Sequence, residues 1–246
     1  RALMIMLNDP ELDVREAAMR QLARLGPNAY QAVPTLIKHL KAKNFSENQA
    51  ARRALARIGD EAYQAVKGLT FSEDEKVQVR GIQALGSFGK RAGPELLKHF
   101  GSGRAAIKKA AVSALIELGP QCRIYYPQLL KLYKVESSEN RALIVKVLRF
   151  SGQAATAPLL ALLEDQETAP LEPIINALQA LGYHSRAAIP RLLTLRKDKA
   201  LTAKVEEAIA HIGSNRLEDG PLFLELHKKT PLKKAVIRSL GRMGKV

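Results

Sequence analysis

Five histidines, one cysteine and an adjacent pair of tyrosines are the residues in this 246-residue chain with the most chemistry to offer. His39, His99, His184, His211 and His227 are each followed by Leu, Phe, Ser, Ile or Lys. None is followed by glutamate, and they are scattered singly, so neither clustering nor spacing supports a metal centre. Cys122 is alone, which excludes an internal disulfide framework and a thiolate zinc site. The stretch "FGSGRAAIKK" at 100–109 has two glycines opening a helix, yet lacks the spacing of a phosphate-binding loop. No Ser/His/Asp set stands out, and Tyr125–Tyr126 ahead of Pro127 reads as a staple at a helix entry. The reading is non-catalytic, with no cofactor and no metal.

What remains is charge. The chain carries a formal +15 with a pI near 10. Residues 1–123 hold 20 Lys/Arg against 12 Asp/Glu, and residues 124–246 hold 19 against 12, so the excess is spread and not confined to a tail. Such a field favours acidic partners. No apolar run approaches the roughly 18 residues of a membrane span, and the opening "RALMIMLNDP" lacks the apolar length and cleavage site of a signal peptide. A single cysteine is compatible with a cytoplasmic protein.

The elements that must position these charges are repeats. "QLARLG", "ALARIG", "ALGSFG", "ALIELG", "VLRFSG", "ALQALG", "AIAHIG" and "SLGRMG" end on Gly26, Gly59, Gly89, Gly119, Gly152, Gly182, Gly213 and Gly244, 30 to 33 residues apart. Four and eight residues before each glycine stand apolar or small residues (Leu22 and Ala18, Leu55 and Ala51, and so on), the spacing of one helix face. Small residues five back (Ala54, Ala84, Ala114, Ala177, Ala208) admit a close neighbour, and the glycine suits a left-handed helix stop. Downstream, Pro34, Pro94, Pro127, Pro158, Pro190 and Pro221 open a second helix. Each unit is therefore helix A, glycine corner, helix B, and the fold class is all-α. Units this short bury their apolar faces only by stacking. Residues 1–246 are expected to form one array, part of a longer chain, since neither end reads as a polar cap. Repeat two, with Lys67 where proline is expected and Gly68 beside it, predicts a short or irregular second helix.

Unit length, "DPELDVREAAMRQLARLG" and "LGPNAYQAVPTLIKHL" resemble HEAT repeats, of the short bacterial kind grouped with phycobilin-lyase-type repeats. The resemblance covers essentially the whole chain and implies an alpha-solenoid of about eight hairpins, with B helices on the concave side. It implies little about function. Three enzyme classes with this architecture were weighed against the residues. Deoxyhypusine hydroxylases hold iron through His-Glu pairs that this chain lacks. HEAT-like DNA glycosylases use aromatic cradles, and here there is no Trp. Bilin lyases need a pigment pocket that cannot be picked out.

On the B helices, counting four and seven residues past each proline yields Lys38, Lys41, Lys98, Lys131, Lys134, Lys197 and Lys228, together with Leu162, Thr194, Gly101, Asp165 and Glu225, all expected to face solvent. A basic ridge thus runs through repeats one, three and four, and stops at the stretch between Arg149 and Arg186, which contains no Lys or Arg. The A helices carry a second set at i,i+4: Arg20/Arg24, Arg53/Arg57 and Arg238/Arg242. The expectation is a protein-interaction scaffold whose B-helix ridge grips an acidic segment of a protein partner. The alternative is phosphate-backbone binding of nucleic acid, remotely as a glycosylase.

Overall fold

The computed structural model describes residues 1–102, 104–164 and 171–213. Every regular element among them is helical. The chain divides into two compact units, Arg1–Gln121 and Cys122–Val246.

In the first unit, α1 (Ala2–Met6) is followed by α2 (Leu12–Leu25), a 3-10 corner (Gly26–Ala32), α3 (Val33–His39), α4 (Phe45–Ile58) and α5 (Asp60–Leu69). Then come α6 (Glu75–Leu85), a second corner (Gly86–Ala92), α7 (Gly93–Phe100) and α8 (Ala105–Glu117). The corner Gly119–Tyr125 leads to the second unit, with α9 (Tyr126–Val135), α10 (Ser138–Phe150) and a short corner (Gln153–Ala155). It continues with α11 (Thr156–Glu164), α12 (Leu171–Leu181), a corner (Gly182–Ala188), α13 (Ile189–Leu195) and α14 (Thr202–Ile212). The A helices are α2, α4, α6, α8, α10, α12 and α14.

The elements begin and end where side-chain chemistry demands. Asn44 accepts from the Ser46 and Glu47 amides (2.8 and 3.2 Å) and so starts α4, and Asp74 accepts from Lys76 and Val77 (2.8 and 3.4 Å) to start α6. Prolines sit in the first turns of α3, α7, α9 and α13, where no amide partner is lost. Gly26, Gly59, Gly89, Gly119, Gly152 and Gly182 take positive φ, whereas Gly213 does not (φ −88°); Gly59 has ψ −128° and Gly152 ψ −160°. That is not the left-handed helical well expected from the sequence; it is a region open to glycine almost alone, and it turns the chain sharply.

The core is the repeated A face. Leu22, Leu55, Leu85, Leu115, Leu148, Leu178 and Ile209 are buried, and so are Ala18, Ala51, Gly81, Ala111, Ile144, Ile174 and Val205. Burying one such leucine is worth about 1.5–3 kcal/mol. The repeat ending at Gly244 lies outside the described residues.

Two expectations fail, each for a physical reason. Helix α5 is neither short nor irregular: it runs ten residues from Asp60, directly after Gly59 with no corner, because Asp60 and Glu61 in its first turn stabilise the start that proline supplies elsewhere. Leu162, expected at the surface, is buried. The B-helix register follows the glycine and not the proline. The residue three past the glycine is buried in each of six repeats (Ala29, Ala62, Ala92, Cys122, Ala155, Ser185). So is the residue ten past it in five of them (Leu36, His99, Leu129, Leu162, Leu192). Pro158 and Pro94 lie closer to their glycines than the other prolines do, so counting from them lands on another face.

Candidate interaction surface

Counted from the glycine, the outward positions of the B helices are twelve and fifteen residues on. The first set reads Lys38, Phe71, Gly101, Lys131, Glu164 and Thr194; the second reads Lys41, Asp74, Arg104, Lys134 and Lys197. All are exposed. In the first unit Lys38 and Lys41 are therefore not continued by a lysine in the next repeat, which presents Phe71 (58% exposed) and the cap Asp74. Lys98 belongs to a different row. It reaches toward that phenylalanine, its Nζ 6.0 Å from the ring centroid, and the His99 ring lies 5.9 Å from the same ring. In the second unit Lys131 and Lys134 share α9, and Lys197 follows α13. None of these six lysines has a carboxylate partner among the described residues. Lys228 lies outside the described residues, as do Asp165, Glu225, Arg238 and Arg242.

The residues singled out for chemistry take structural places. Cys122 occupies the small-residue column at the corner, and burial pushes its thiol up, opposed in part by Ser151. A thiol so placed is a poor nucleophile. Tyr125 is buried at the entry to α9, and Tyr126 beside it is half-buried with its phenol pushed up by desolvation. Burial likewise pushes the His99 imidazole below its ordinary range, although Glu95 at 3.5 Å opposes this. Lys67, placed where a proline was expected, pairs with Glu95 at 3.3 Å. Among the described residues, no three His, Cys, Asp or Glu side chains are grouped to hold a metal ion.

A polar column escaped the sequence reading. In five repeats the residue eleven before the glycine bonds back to the chain segment that precedes its helix. Asn48 Nδ2 donates to the Leu40 carbonyl (2.7 Å), Gln78 Nε2 to Thr70 (2.7 Å) and Arg141 Nε to Tyr133 (2.9 Å). Arg15 does the same to Asp9 and Pro10 (2.7 and 2.8 Å) while forking onto Glu47 at 2.9 and 3.0 Å. Thr202 donates its hydroxyl to Arg196 (3.0 Å). The bonds to Leu40, Thr70, Tyr133 and Arg196 satisfy carbonyls that a helix end leaves open, whereas Arg15 ties down the loop between α1 and α2. The signal was present as a fixed-offset column of Arg, Asn and Gln, hidden because no single residue type recurs. Glu47 is buried, holds His39 Nδ1 at 2.8 Å as well, and keeps its carboxyl below the ordinary range chiefly through the bond from Arg15.

The A helices of the first unit make a second basic surface. Helix α4 packs along α2, and α6 along α8, whereas α4 meets the following repeat largely through the corner Gly86–Ala92. Arg52 bridges the gap, its Nη2 bonded to the Gln83 carbonyl and the Glu117 carboxylate. Two grooves flank α4. One, of about 550 Å³, lies between α2 and α4 and includes Arg20, Arg24, Arg53 and Arg57. The other, of about 630 Å³, lies between α4 and the Gly86–Ala92 corner and includes Arg53, Arg57, Lys90 and Arg91.

A family model described as HEAT repeats matches residues 1–70. The hairpin matched there recurs through the described residues, so the chain is similar to HEAT repeats and its fold is an all-α solenoid. Among solved structures it is similar to the complex of CpcE and CpcF of phycocyanin lyase from Nostoc sp. PCC7120, at 18% identity and TM-score 0.36, over 98% of this chain and 92% of that one. It is also similar to YibA of Escherichia coli, at 15% identity and TM-score 0.43, over 100% and 92%. Kap121p bound to Pho4p gives 18% identity and TM-score 0.46, over 94% of this chain and 30% of that one. No curated protein sequence gives a significant match. Among the described residues no helix is long and apolar enough to cross a membrane.

Proposed function

We propose that the chain is a non-catalytic interaction scaffold, one array from end to end, that binds an acidic segment or domain of a partner protein through its B helices. The observation that carries this reading is the exposure of Lys38, Lys41, Lys98, Lys131, Lys134 and Lys197, each with its ammonium unmatched by a carboxylate among the described residues. Within each unit, exposed and unmatched lysines on the B helices attract a negatively charged chain and favour one seating of it.

The test is anisotropy of a labelled glutamate-rich peptide and of a labelled DNA duplex, each titrated with the full chain across several salt concentrations. Peptide binding that persists at physiological salt and is lost in K38E/K41E and K131E/K134E supports the ridge. Duplex binding that persists there, with a slope reporting several neutralised phosphates, moves nucleic acid into first place. Binding of either probe only at low salt means the +15 charge acts without a built site.

A further inference from the structure

The arginine pairs of α2 and α4 are left unused by the ridge reading, and their geometry is that of a site. Arg53 and Arg57 line both grooves, so the two hollows adjoin along α4. Arg24 and Arg57 have no carboxylate partner among the described residues. Arg53 is engaged only by the Gln49 side-chain oxygen at 3.0 Å, and Arg20 only by Glu16 at 3.5 Å. Of the acids at the corner, Glu117 is already held by Arg52 and by Ser87 Oγ (2.8 Å), and Asp60 is paired with Arg91, which leaves Arg53 and Arg57 as the donors still open. The grooves therefore hold a surplus of forked donors.

We infer that this arginine-lined track on the A helices of the first unit binds an extended, glutamate- or aspartate-rich segment of a partner protein, at residues distinct from the lysine ridge of the B helices. It rests on the reading of the chain as a binder of acidic protein, but not on the ridge.

Three physical points select this occupant. Residues four apart on a helix lie roughly 6 Å apart along its axis, close to the roughly 7 Å between same-face side chains of an extended strand. Alternate carboxylates of such a strand meet successive guanidiniums, each able to accept a bidentate fork. Between the arginines the α2–α4 groove is floored by Met19, Ala23 and Ala50, which suits methylene stems. Base stacking has no platform, because the aromatic ring of the corner groove, Phe88, is already packed edge-on against Tyr63 at 5.5 Å.

The experiment uses the full chain with the same labelled glutamate-rich peptide at physiological salt. R53E/R57E should weaken binding by at least about tenfold, as expected when desolvated charge pairs are lost. K109E/K146E, with the same change of net charge at exposed positions outside both surfaces, should stay within about twofold. R53K/R57K keeps the charge but loses the fork, and should fall in between. Equal losses in R53E/R57E and K109E/K146E would overturn the track in favour of nonspecific attraction. Loss in K38E/K41E with R53E/R57E unaffected would overturn the track and leave the ridge standing, and the converse would retire the ridge alone. A DNA duplex that responds to R53E/R57E when the peptide does not would overturn the choice of occupant. Unchanged helical circular dichroism in each variant separates lost binding from lost fold.

Discussion

At the scale of single residues, stability resides in a few over-determined contacts. Glu47, six per cent exposed, takes both prongs of Arg15 and a bond from His39. Its carboxyl titrates below the usual range when folded, so its contribution is complete above about pH 4.3, the ordinary glutamate value, and is lost as pH falls through the folded value. E47Q should cost roughly 1–3 kcal/mol in urea unfolding at neutral pH, and the gap to wild type should close on acidification. His99 has the opposite charge type and the same sign of pH dependence. Held neutral by burial, it is protonated more readily in the unfolded chain, so acidification below about pH 6.5 costs stability that H99Q should not lose. Gly81 is the third such point: a Cβ there would stand 2.8 Å from Leu69 Cβ. G81A should lose about 1–3 kcal/mol by overpacking the α5–α6 contact, whereas alanine is the native residue at the same offset in α2, α4 and α8.

At the scale of elements, the buried face of the described A helices was legible, the conformation of their glycine stops and their polar column were not, and the B helices were half legible. The A face is a long run with buried residues at four and eight before a glycine, and helical geometry permits one register for it. The B helices are short, seven to ten residues, and the visible marker in their sequence was proline. Proline constrains only the first turn, so it drifts between five and eight residues past the glycine without disturbing the packing. That drift misplaced Leu162 and put Lys98 in the wrong row. The arginine pairs were readable from spacing, but their meeting in two adjoining grooves was not, because it depends on how α4 meets the next repeat. N44A should remove the cap of α4 and cost about 0.5–2 kcal/mol in thermal or urea unfolding. L55A, in the middle of the same helix, should cost about 2–5 kcal/mol.

At the scale of the whole molecule, the +15 charge ensures attraction to polyanions at low ionic strength, and that attraction alone carries no information about a partner. Raising salt should strip it away first, and whatever affinity survives reports a built surface. Wild type and K109E/K146E should then converge in peptide affinity as salt rises, while R53E/R57E stays weaker throughout. The glycine-anchored register has a further consequence, for how such a chain changes over generations. Because each repeat's buried pattern is counted from its own glycine, a duplication or exchange with breakpoints at two glycines leaves every core position in phase. Lineages can lengthen, shorten or shuffle the array by whole repeats without re-solving the packing, and selection is left to act on the outward residues that choose the partner.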